Sequence, residues 1–110
     1  MIIDCHVHAF EHLGAVCGFG ESRAIGGGKV QYATGDIEAI VSPEDGDKEL
    51  LIETYIEKYM KPFNIDKGVL LQSGFYSLNN LYASDIMKKY PGKFVAACSL
   101  DPFCAEKEAI

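Results

Sequence analysis

Two continuous apolar runs, Gly68-Val69-Leu70-Leu71-Gln72 and Phe94-Val95-Ala96-Ala97-Cys98-Ser99-Leu100, each follow a stretch of helical periodicity. A strand buried on both faces reads as an unbroken apolar segment, the pattern of a parallel sheet covered by helices. Before the first run, Ile52, Tyr55, Ile56, Tyr59 and Phe63 recur at i, i+3, i+4, i+7 and i+11, one apolar stripe on a helix. That spacing predicts a helix near 47–61, with acids suited to the dipole at its start and Pro62 helping to stop it. Tyr82, Ile86 and Tyr90 predict a second helix near 79–89, ended by Pro91-Gly92. Met1-Ile2-Ile3-Asp4-Cys5-His6 reads as an opening strand whose end turns polar. The order is then strand, long loop, helix, strand, helix, strand, with a helical start at Ala105. Such alternation indicates parallel βαβ units and an α/β fold class.

The segment from about 18 to 47 breaks this rhythm. It is rich in turn signals, including Gly26-Gly27-Gly28, and contains one hairpin pattern, Lys29–Ala33 and Asp36–Ile40 around Thr34-Gly35. The glycine run lacks the Gly-Lys-Ser/Thr ending of a phosphate loop and reads as loop flexibility. A connection of about 30 residues far exceeds the usual 2–6 and is either functional or disordered. Two readings stay open: a lid contributing side chains such as Arg23 or Tyr32, or an insertion that packs on a neighbouring subunit of a homo-oligomer.

Composition excludes some classes. The 110 residues are 48% hydrophobic and 24% charged, ordinary for a globular chain. A net charge of −6 without a basic stripe argues against a nucleic-acid partner. No segment approaches the roughly 18 apolar residues of a membrane span. Cys5, Cys17, Cys98 and Cys104 form no Cys-x-x-Cys pair, and the opening has no secretory n-region. A cytoplasmic location is the expectation.

The chemistry is concentrated in Asp4-Cys5-His6-Val7-His8. Residues two apart on a strand point the same way, so Asp4, His6 and His8 are expected on one face and Cys5 on the other, toward the helices. Two imidazoles from one strand end can share an ion, at about 2.0–2.1 Å each for zinc. Asp4 would orient or bridge from beneath. Neutral imidazole suits zinc, iron, nickel or cobalt, and zinc is the first expectation for the divalent metal. Two histidines at a strand end can equally be ordinary polar residues. Glu11-His12 could supply an acid or base, and reads more simply as polar loop.

Asp4–Phe10 resembles the opening strand of the amidohydrolase superfamily. Gly68–Tyr76, Asn79-Asn80, Tyr90–Val95 and Leu100-Asp101-Pro102 are similar, in order, to its amidohydrolase-2 branch. The resemblance implies the N-terminal part of a (β/α)8 TIM barrel, so that residues 1–110 would supply its first three strands. A whole barrel needs about 250 residues. It also implies a metal-dependent hydrolase, in which metal-activated water attacks a small-molecule substrate, or else a non-oxidative decarboxylase. His6 and His8 would be the first two metal ligands. Gln72 and Tyr76, at the end of the second strand, would line the substrate pocket, although the aromatics could instead serve helix packing. The family's further ligands, histidines near the fifth and sixth strands and an aspartate after the eighth, have no counterpart among these 110 residues. The chain alone is therefore expected to be inactive, and a non-catalytic fragment is the rival reading. Phosphoesterase or nuclease barrels opening with the same Asp-x-His-x-His fit the run from Gly68 to Asp101 less well.

Overall fold

The computed structural model describes residues 1–17 and 20–102. The helical start expected at Ala105, and Cys104, lie outside the described residues. Among the described residues seven strands occur: β1 (Ile3–Val7), β2 (Val16–Cys17), β3 (Gly20–Gly26), β4 (Lys29–Tyr32), β5 (Ile37–Ala39), β6 (Lys67–Leu70) and β7 (Phe94–Ala96). Helix α1 (Ile52–Tyr55) runs straight into a π-helical turn (Ile56–Met60), and α2 spans Asn80–Lys89.

The strands form two sheets. β1, β6 and β7 make a parallel sheet in the order β1-β6-β7, and β2, β3, β4 and β5 an antiparallel one in chain order. The expectation of an opening TIM barrel is thereby overturned. A barrel opening consists of βα units alone, whereas here an antiparallel sheet stands beside the parallel one and only two α-helices occur among the described residues. The physical reason lies in the glycines. Gly26, Gly27, Gly28 and Gly35 all have positive φ, a conformation that closes tight antiparallel turns. What reads as a flexible loop is a meander with its own apolar contacts. The hairpin around Thr34-Gly35 does form, pairing Gln31 with Ile37 and Val30 with Glu38.

Each sheet has its core. Val7, Ala9, Ile52, Met60, Leu70, Ala83, Ile86 and Phe94 pack between the parallel sheet and the helices. Phe10, Leu13, Val30, Val41 and Tyr76 pack under the antiparallel sheet. Successive residues of one segment, Ala9 and Phe10, belong to different cores, so the exit of β1 joins the two halves. Reciprocal backbone hydrogen bonds between Phe10 and Leu50 (2.8 and 2.9 Å) hold that exit against the approach to α1.

The helical stripe is only partly as its spacing suggests. Ile52 is buried, but Tyr59 and Phe63 are exposed and Met60 is buried instead. The π turn explains the change, because its i→i+5 bonds, Lys61 N–H to Ile56 O and Ile65 N–H to Met60 O (both 2.9 Å), rotate later residues off the α-helical period. Among the described residues no helix is long and apolar enough to cross a membrane.

Candidate metal centre

The geometry of the centre begins with a bulge. β1 pairs Ile3 with Lys67, Asp4 with Gly68 and Val7 with Leu70, so β1 takes one residue more than β6 to cover the same length. A bulge breaks strict alternation and re-aims side chains. Gly68, the partner of Asp4, faces the helix side: a Cβ there would sit 2.9 Å from the Phe94 ring and 3.2 Å from Val7. Val7 is buried on that same side.

Three expectations therefore need restating. Asp4 does not lie beneath the imidazoles: one carboxylate oxygen accepts from the Tyr55 hydroxyl of α1 (2.8 Å), the other from the His6 backbone N–H (3.0 Å). It positions the His6 backbone. Cys5, expected to pack under the helices, is exposed, because the extra residue falls between Asp4 and Val7. His6 and His8, flanking the buried Val7, do project together. Their Nε2 atoms are 2.9 Å apart, with ring centroids at 4.8 Å and planes at 68°.

His8 is half-buried, and its Nδ1 lies 2.8 Å from the Tyr76 hydroxyl. Burial lowers its pKa below the ordinary 6.5 and the neighbouring His6 lowers it further, against a hydrogen bond to the Leu71 backbone. A neutral imidazole is the form that binds metal. Tyr76 is itself buried, its ring stacked on Phe10 at 4.4 Å and 14°. Burial pushes its pKa up to about 12, so the hydroxyl keeps its proton and gives it to the Leu71 carbonyl (2.9 Å). Tyr76 thus faces His8 and the core, not a substrate cleft.

Gln72 lies elsewhere. With Ser73, Ser77, Ser99 and Asp101 it lines a cleft of about 490 Å³ at the ends of β6 and β7. Its amide donates to the Ala97 carbonyl (3.2 Å), while Oε1 is buried without a partner among the described residues. Arg23 and Tyr32, the lid candidates, are engaged by side chains of neighbouring strands, Arg23 with Gln31 and Tyr32 with Glu38. Glu11 and His12 are exposed.

The partners of Asp4 and His8 were hidden from sequence reasoning. Tyr55 looks like one member of an apolar stripe, and Tyr76 is 68 positions from His8; no local spacing joins either pair.

The donors fit part of a metal site. Two ligands of a tetrahedral zinc at about 2.0–2.1 Å stand roughly 3.3 Å apart, and the observed 2.9 Å is within a few tenths of that. No cluster of three or more His, Cys, Asp or Glu able to hold an ion occurs among the described residues. No family model, curated protein or solved structure matches the chain.

Proposed function

We propose that His6 and His8 are two ligands of a divalent metal centre, zinc first among the candidates, in a hydrolase acting on a small molecule. The observation that carries this reading is the convergence of the two Nε2 atoms at 2.9 Å on a strand end braced by Val7 and Asp4. Two ligands fall short of the three that a catalytic zinc takes from protein, and no third donor joins the pair among the described residues. The hydrolytic part of the reading rests on the resemblance of Asp4–Phe10 and the later segments to amidohydrolases, and the barrel forms no part of it.

When bound, such an ion lowers the pKa of a coordinated water and polarises a substrate oxygen. The chain's own residues do the rest. Asp4 fixes the backbone at His6, and burial keeps His8 neutral. Gln72 is one of the polar side chains that a small substrate would meet in the serine-lined cleft.

Cobalt(II) titration followed by visible absorption tests the pair. The expected result is saturable binding that His6→Ala and His8→Ala each abolish while the circular dichroism spectrum stays native. Equal cobalt affinity in His8→Ala and the parent protein would overturn the assignment. Metal-dependent turnover of an ester and amide panel, lost in the same variants, tests the hydrolytic part.

A further inference from the structure

Tyr76 is read most simply as a core aromatic, yet its hydroxyl makes contacts that phenylalanine could not. The Tyr76 hydroxyl donates to the Leu71 carbonyl across 2.9 Å, and the Ser73 backbone N–H reaches the phenolic oxygen. The oxygen then has only lone pairs to offer the Nδ1 of His8 at 2.8 Å. A hydrogen bond there requires the proton on Nδ1, which leaves Nε2 bare. That bare nitrogen is the one turned toward His6.

The geometry assigns Tyr76 as a positioning residue that holds His8 in its Nδ1–H tautomer, with the Nε2 lone pair free for the ion. This rests on the metal reading above. A ligating histidine commonly donates its other ring N–H to a fixed acceptor, which sets both tautomer and ring orientation; a tyrosine oxygen whose own proton is committed elsewhere performs that task here beside the Leu71 carbonyl. The turn that carries Tyr76 is strained. Ser77, the next residue, has φ 60 and ψ −156, a region otherwise left to glycine and met where surroundings over-determine the backbone, often at functional sites.

The test uses nitrogen-15-labelled metal-free protein and long-range proton–nitrogen NMR, with the His8 resonances identified by their loss in His8→Gln. The wild-type spectrum should show the proton on Nδ1, and Tyr76→Phe should move population toward the Nε2–H form. A wild-type His8 carrying its proton on Nε2 overturns the proposal without any variant. Tyr76→Phe keeps the ring on Phe10, and its cobalt(II) affinity should fall about 10- to 100-fold with thermal melting near that of the parent. Phe10→Leu disturbs the stacking and leaves the hydroxyl, so it should lower the melting temperature and leave the tautomer unchanged. Equal loss of cobalt affinity in Phe10→Leu and Tyr76→Phe, with one tautomer throughout, would mean that Tyr76 is structural and would refute the assignment. Absence of cobalt binding in the parent protein would instead remove the metal reading, while the NMR result still decides the tautomer.

Discussion

Replacing Ser77 by glycine should make the protein more stable. At φ 60 and ψ −156, a side chain at residue 77 costs about 1–3 kcal/mol of backbone strain. The conformation is imposed from both sides. Phe75 O accepts from Gly14 N–H (2.8 Å), and the Tyr76 hydroxyl is tied to His8 and Leu71. Two residues on, the Asn79 amide donates to the Ala9 carbonyl (2.6 Å). Glycine enters that region freely but surrenders about 0.5–1 kcal/mol more chain entropy on folding. The balance favours Ser77→Gly by roughly 1 kcal/mol, which for a domain of this size raises Tm by about 4 °C. Ser77 is exposed, so little else changes. Urea unfolding followed by far-ultraviolet circular dichroism measures the difference, with Ser77→Ala as control because alanine inherits the strain. A midpoint lowered by glycine, or raised equally by alanine, would show that the turn is not strained.

Three further outcomes follow from packing and charge. Ile52 is 1% exposed at the centre of the parallel-sheet core, and Ile52→Ala should cost about 2–5 kcal/mol; a parental urea midpoint would contradict that. Gly28 combines φ +73 with a Cβ position that overlaps the Val41 carbonyl. Gly28→Ala should therefore cost about 2–5 kcal/mol from left-handed backbone and overpacking together, and tolerance in a melting experiment would count against the meander. Lys58 and then Tyr59 hydrogen-bond Asp45 and hold its carboxyl below the ordinary range. Since the folded pKa lies below the unfolded value of about 3.9, this contribution is full well above pH 4 and disappears as pH falls through the folded value. Asp45→Asn should destabilise at neutral pH and converge with the parent once pH falls below the folded value; a difference independent of pH would refute it.

The parallel half of the molecule was legible because its signals are local. Unbroken apolar runs locate β6 and β7, and four-residue spacing locates α2 with Ile86 inward. The antiparallel half was not, beyond the hairpin at Thr34-Gly35. Its strands are short and glycine-rich, and Val30, its most buried anchor, stands between Lys29 and Gln31. Periodicity also mispointed Tyr59 and Phe63, since a π turn leaves no mark in spacing. At the candidate site, His-x-His was visible, but alternation put Asp4 on the wrong face. The bulge that moves it is a property of pairing with β6, some sixty residues away, and a single strand carries no record of its partner's register.

That distance has a consequence for how the protein comes into being. β1 is made some sixty residues before its partner, for Ile3 pairs with Lys67. At about 5–20 residues per second, the strand waits roughly 3–13 s for its partner. β3, β4 and β5 pair within residues 20–39 and have no such delay, since closing short loops is quick. The newborn chain therefore carries a finished meander behind a solitary β1, whose unpaired backbone is a template for any neighbouring chain. Slower synthesis lengthens that exposure, so the folded yield should fall when codons between 8 and 66 are made slow and recover when those beyond 70 are slowed instead.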